Sequence, residues 1–164
     1  MINKPMQDAM NEQINKEMFS SFLYLSMAAY FEDKNLPGFA NWMRAQTKEE
    51  TTHAMKIYDF IHEQDGGVVL KSIAQPPDQW QSPLAAFEAA QKHERKVTAM
   101  INDLVKLAGQ QKEQATSAFL QWFVDEQVEE ESSVGQVVGK LKAAQTTPDG
   151  LTPIDQELGE RESK

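Results

Sequence analysis

A chain of 164 residues, 40% apolar and 25% charged, is long enough for one domain with a sizeable core and has ordinary globular composition. A net charge of -9 argues against a nucleic-acid partner, and the lack of cysteine excludes disulfides, zinc–thiolate sites, cysteine nucleophiles and cysteine-ligated iron–sulfur clusters. No stretch approaches a membrane span and Met1 to Gln7 carries no signal pattern, so no membrane partner and a cytoplasmic location are expected.

The first helix is predicted over about residues 6–33, where no proline or glycine interrupts an apolar stripe. Asn35-Leu36-Pro37-Gly38 is a tight connection, with Pro37 placed to open a second helix over about 37–64. Asp65-Gly66-Gly67 ends it. Val68 to Gln81 has no helical stripe and contains Pro76-Pro77. Ser82-Pro83 restarts the chain with an N-cap and a first-turn proline, predicting a third helix over about 83–108. A fourth is expected over about 112–144, ended by Thr146-Thr147-Pro148-Asp149-Gly150. Thr152-Pro153-Ile154-Asp155 has a capping-box-like pattern and predicts a short fifth helix over about 153–161.

Connection lengths set the topology. The short links make helices one and two, and helices three and four, antiparallel hairpins. Residues 65–81, extended at roughly 3.3 Å each, reach over about 50 Å, whereas a helix of about 28 residues spans about 42 Å. The segment can cross the bundle and set helix three parallel to helix two. The expected fold is a single all-α domain over residues 1–164: a four-helix bundle with one long crossover and a short fifth helix.

Acids interrupt the apolar stripes. In helix two, Phe39, Met43, Gln46, Glu50, His53, Ile57 and Phe60 share one face, so Glu50 and His53 occupy core positions. Helix three carries Glu94 between Phe87 and Ile101, and helix four carries Gln127 and Glu130 between Phe123 and Val134. Helix one places Glu17 on its buried face and Tyr24 two turns beyond. Glu17 and Glu50 both lie roughly 22–27 Å from the turn at Asn35, so the acids meet at mid-bundle. His62 and His93 fall off the inward faces. Each inward acid alone is an ordinary boundary residue, and a lone inward histidine is usually structural. Four acids converging in an apolar bundle either stay protonated or bind a cation. Carboxylates with one imidazole suit iron or manganese, with zinc as competitor.

These residues resemble the bacterial non-haem ferritins over essentially the whole chain. The resemblance rests on Asn11 to Glu17 with Ser20, Ser21 and Tyr24, on Glu49-Glu50-Thr51-Thr52-His53, and on Glu94. It rests further on Phe119 to Glu131 and on Ile154-Asp155-Gln156-Glu157-Leu158. It implies a di-iron ferroxidase centre. Glu17, Glu50 and His53 hold one iron, and Glu50 bridges to a second held by Glu94 and Glu130, with Gln127 close by. It implies a third iron position at Glu49, Glu126, Glu129 and Glu130, and a role for Tyr24 beside the centre. The implied reaction is oxidation of Fe(II) by dioxygen or hydrogen peroxide, with Fe(III) stored as a hydrated oxide in a homo-oligomeric shell of 24 subunits. There the fifth helices line channels at the four-fold axes. Haem-binding relatives and rubrerythrins carry a second Glu-x-x-His on helix four, where this chain has Gln127-Val128-Glu129-Glu130. Two other readings of the same residues are a di-metal redox enzyme, of the oxidase or manganese catalase type, and a structural bundle whose acids stay protonated.

Overall fold

Asn3 opens the first helix by accepting a hydrogen bond from the Met6 N–H at 3.0 Å, with Pro5 in the first turn. The resulting α1 spans Lys4–Asp33. Pro37 starts α2 (Pro37–Glu63), and Ser82 caps α3 (Pro83–Gln110) by accepting from the Ala85 N–H at 3.0 Å. The bundle is completed by α4 (Gln114–Ala143), and α5 (Pro148–Leu158) lies against α2 and α4. The computed structural model describes residues 1–144 and 147–164. The sequence expectation at Thr146 lies outside them.

The end of α2 differs from the glycine-based expectation. Among the described residues the left-handed ones are Asn35, Asp65 and Lys112, at φ near 58°, 56° and 56°. Asp65 rather than a glycine turns the chain at the end of α2, and the Gly66 N–H then closes onto the Ile61 carbonyl at 2.8 Å. Gly109 stays helical, so α3 runs on to Gln110 and α4 begins at Gln114.

The start of the fifth helix is corrected. It begins at Pro148, and Pro153 sits inside it, past the first turn. Thr147 is extended and Pro148 opens the helix, while Pro153 forgoes one intrahelical bond. Asp155 does not cap its own helix. Its Oδ1 accepts from the Gly38 and Phe39 N–H groups, at 2.8 and 3.0 Å. Leu36, the N-cap of α2, offers no side-chain bond, so Asp155 satisfies those N–H groups from another helix. Close approach requires Gly38: a Cβ there would lie 1.6 Å from the Asp155 carbonyl oxygen.

Ring contacts and hydrogen bonds fix the topology. Along α1 and α3, Ser20 meets His93 and Phe31 meets Phe87, so these helices run antiparallel. With α1 and α2 also antiparallel, α2 and α3 are parallel, which requires the crossover at residues 64–82. That segment lies along α1 in the same direction. Gly67 N–H donates to Gln7 Oε1, Val69 N–H to Asn11 Oδ1, Asn15 Nδ2 to the Ser72 carbonyl and Ser26 Oγ to the Pro77 carbonyl, and Trp80 packs edge-on to Tyr30. A long loop without helix is held because α1 side chains take up its backbone groups.

The apolar core is in two parts. One gathers Tyr24, Phe31, Phe39, Trp42, Met43, Phe87 and Val137 with α5, and the other gathers Met6, Met10, Ile57, Ile61, Ile101, Leu120 and Phe123. Between them lies a polar belt contributed by all four long helices.

Candidate metal centre

The belt consists of Glu17, Gln46, Glu50, His53, Glu94, Gln127 and Glu130, each no more than 3% exposed. Helical spacing puts each on the face that elsewhere carries Met, Phe and Ile, so folding the stripes inward buries these side chains as well. His53 is central. Its Nδ1 lies 3.2 Å from Glu50 Oε2 and 3.9 Å from Glu17 Oε2, and its Nε2 lies 3.9 Å from both Glu126 Oε1 and Glu130 Oε1. Trp122 and Phe123 close over the ring edge-on.

Among the described residues three groups can each converge on one ion: Glu17–Glu50–His53, Glu50–Glu94–Glu130 and His53–Glu126–Glu130. Glu50 is shared by the first two, and Glu130 by the last two. Tyr24 donates its hydroxyl to Glu94 Oε1, and Gln127 Nε2 donates to Glu94 Oε2 at 3.1 Å. Of the acids singled out in the sequence, Glu49 and Glu129 fall in none of these groups. Glu49 accepts from Arg161, and Glu129 lies exposed with its Oε2 2.7 Å from the Lys164 ammonium, which also reaches Glu126 at 3.0 Å.

Electrostatics favour a cation. Burial, and then the charges of Glu94, Glu17 and Glu130, push the Glu50 carboxyl well above its ordinary range. Burial raises Glu94 to about 7, against hydrogen bonds from Tyr24 and Gln127 that pull it down. Burial, with the charge of Glu94, raises Glu130 to about 8. Burial also raises the Tyr24 hydroxyl well above 10, reinforced by Glu94, and lowers the His53 imidazole despite the acids around it. A neutral imidazole among part-protonated carboxyls is a donor set that could bind a cation with release of protons. Among the described residues, buried side-chain oxygens without a hydrogen-bond partner include Glu17 Oε2 and Glu130 Oε1, both turned into these groups. Unpaired carboxylate oxygens inside a core are costly unless a cation coordinates them.

Several contributors were not singled out from sequence. Gln13 Nε2 donates to Glu17 Oε1 at 3.0 Å, and Gln46 Nε2 donates to Glu50 Oε1 at 3.0 Å and Glu130 Oε2 at 2.6 Å. The signal was present: in α1 and α2 a glutamine stands one turn before the inward acid, at the i, i+4 spacing that lets an amide orient a carboxylate. Arg161 and Lys164 left no periodic signal. His93 is corrected in part. It joins no ligand group, but it packs between α1 and α3, with Nε2 2.7 Å from Ser20 Oγ and its ring edge-on to Tyr24, and burial takes its pKa down to about 4. His62 is exposed, with Nδ1 3.1 Å from the Tyr58 carbonyl.

A family model described as the ferritin-like domain matches residues 7–144. A protein named bacterial non-heme ferritin from Bacteroides fragilis (strain 638R) is 44% identical over 161 residues, covering 98% of this chain and 100% of its own. One of the same name from Staphylococcus saprophyticus is 37% identical over 161 residues, covering 98% of this chain and 96% of its own. Among solved structures, an Archaeoglobus fulgidus ferritin engineered into a closed form superposes with a TM-score of 0.99 at 48% identity over 100% of both chains. An open-pore ferritin from the same archaeon gives 0.97 at 49% identity, over 99% of this chain and 100% of that one.

Proposed function

The chain belongs to the ferritin family of iron-storage proteins, and from that premise we propose that its polar belt is a ferroxidase centre that takes Fe(II) as substrate. The observation that carries this is the convergence of Glu17, Glu50, Glu94 and Glu130 from four helices into two ligand groups that share Glu50, one of them completed by the His53 imidazole, with two carboxylate oxygens unpartnered. In this reading Glu17, Glu50 and His53 bind one Fe(II). Glu50, Glu94 and Glu130 bind a second, with Gln127 holding Glu94. Two Fe(II) give one electron each to dioxygen, which takes up two protons and leaves as hydrogen peroxide. With hydrogen peroxide as oxidant, the two electrons and two protons give two waters. Carboxylate oxygens are hard donors that favour Fe(III) over Fe(II) and exchange readily, which suits a site that passes its product on.

The chain's own groups serve the proton balance. Glu94 and Glu130, raised to about 7 and 8, release protons as iron binds. Tyr24 tethers Glu94 Oε1 and leaves Oε2 to Gln127. The group His53–Glu126–Glu130 supports a third iron position on the far side of the imidazole. Glu49 and Glu129 border it, and a cation entering there competes with the Lys164 ammonium. The family relationship supports assembly into a hollow homo-oligomer, for which we propose 24 subunits storing hydrated ferric oxide, in the cytoplasm. Among the described residues no helix is long and apolar enough to cross a membrane. The absence of a second imidazole in α4, where Glu130 stands at the histidine position of a Glu-x-x-His pattern begun by Gln127, favours storage over a resident di-metal cofactor.

Loading the apoprotein with Fe(II) without oxygen and then admitting oxygen tests the centre. A fast rise of ferric absorbance, followed by retention of iron in a large particle on size exclusion, is the expected result. A monomer or dimer that keeps no ferric core would overturn the storage reading.

A further inference from the structure

Arg161 lies outside the cluster of acids but one side chain away from it. It follows α5, and its side chain is 18% exposed. Nη1 donates to the Trp42 carbonyl at 3.2 Å, and Nη2 donates to Gln46 Oε1 at 2.8 Å and to Glu49 Oε2 at 2.9 Å. The guanidinium also lies over the Trp42 ring, 4.2 Å from its centroid. Asn41 Nδ2 donates to the carbonyls of Leu158, Gly159 and Arg161, which pins the chain to α2 at this point.

Gln46 is fully buried. An amide has one accepting and one donating end, and only the donating end suits a carboxylate. Arg161 takes Gln46 Oε1, so Nε2 faces inward to Glu50 Oε1 and Glu130 Oε2. The flipped amide would set its NH₂ against a guanidinium, and its oxygen against two carboxylate oxygens once Glu50 and Glu130 are ionised. The guanidinium therefore decides which end Gln46 presents, and Gln46 ties a carboxylate of α2 to one of α4. We propose that Arg161 is a positioning residue for the centre, acting through Gln46 to hold Glu50 and Glu130. A guanidinium suits this role because its planar fork lets Nη1 hold the Trp42 carbonyl while Nη2 reaches the amide oxygen and the Glu49 carboxylate, a fixed spread that a single ammonium does less well. This inference rests on the ferroxidase reading and adds to it an arm from beyond α5.

The test is anaerobic titration of the assembled apoprotein with Co(II), whose visible absorption reports ligand geometry, alongside Fe(II) oxidation kinetics. The variants are Arg161→Ala, Arg161→Lys, Gln46→Leu and the pair Arg161→Ala with Gln46→Leu. Expected are about three- to tenfold weaker Co(II) binding and an altered band in Arg161→Ala, with a lower rate at saturating Fe(II). Arg161→Lys should recover little of this, since it restores charge but not the fork. In the Gln46→Leu background, Arg161→Ala should change nothing further. Wild-type binding and spectrum in Arg161→Ala would overturn the proposal, as would an equal loss in both backgrounds. If Arg161→Ala fails to assemble, Arg161→Lys takes its place in the cycle under the same criteria. Wild-type Co(II) binding in Glu50→Ala would instead mean that the centre itself is misread.

Discussion

Replacing Glu130 with glutamine should make the apoprotein more stable while impairing its centre. Glu130 is 3% exposed and its pKa is raised to about 8 from an ordinary 4.5, mainly by burial. Because the folded value exceeds the unfolded one, the folded protein holds a proton that the unfolded chain releases between pH 4.5 and 8. The stability linked to this group is therefore fully present below pH 4.5 and is lost as pH rises through about 8. At pH 7, holding that proton across 2.5 pH units costs about 3 kcal/mol, at about 1.36 kcal/mol per unit. An amide has no such cost, and its oxygen can still accept from Gln46 Nε2, which now lies 2.6 Å from Glu130 Oε2. For a chain of this length about 1 kcal/mol corresponds to about 2–4 °C, so apo Glu130→Gln should melt about 6–12 °C higher at pH 7. The gap should close towards pH 5. Scanning calorimetry of metal-free protein at one scan rate and one concentration measures it. Adding Zn(II) should reverse the order, since the wild type gains binding free energy that the variant has lost. An apo variant no more stable than wild type across pH 5–8 would refute the account of Glu130 as a strained, proton-holding ligand.

Glu50→Ala and His53→Ala should each slow the rapid phase of Fe(II) oxidation by more than about tenfold, read by ferric absorbance after rapid mixing. Unchanged rapid oxidation in Glu50→Ala would remove its bridging role. Zn(II) binding at pH 7 should release about one to two protons, drawn chiefly from Glu50, Glu94 and Glu130, and the number should fall above pH 8. Calorimetry in buffers of different ionisation enthalpy counts them, and no release at pH 7 would contradict the raised carboxyls. Gly38→Ala places a Cβ 1.6 Å from the Asp155 carbonyl oxygen, so α5 must shift, at a cost above about 3 kcal/mol. A melting temperature within 2 °C of wild type, on the about 2–4 °C per kcal/mol scale, would show that α5 yields freely. Lys164→Gln should strengthen cation binding beside Glu126 and Glu129 by a factor of about two to five at low salt and by less at high salt, because the ammonium is largely exposed. A Co(II) titration at two ionic strengths reads the difference.

Local chemistry already wrote much of this protein into its sequence. Pro37 and Ser82-Pro83 mark helix starts because φ restriction and capping act within one turn. The stripes place Glu17, Glu50, His53, Glu94 and Glu130 inward because a helix has one fixed period, and equal distances from the turns put them at one height. The length of the 64–82 link made a crossover possible, but α1 side chains decided its course. Nothing local states that Asn11 and Asn15 will hold it.

What the sequence could not decide are contacts whose partners lie far apart along the chain. Asp155 read as a cap for its own helix and instead serves the start of α2, because the tertiary fold brings two unpaired N–H groups within its reach. His93 read as an outward residue, yet the α1–α3 seam took it in beside Ser20 and Tyr24. Gln46 was visible as a polar interruption, but only packing against α4 and the segment beyond α5 joined it to Glu130 on one side and Arg161 on the other. Helical periodicity fixes the direction in which a side chain leaves its own axis. It carries no information about what arrives from more than a hundred residues away, and in this protein such an arrival orients the amide that ties Glu50 to Glu130.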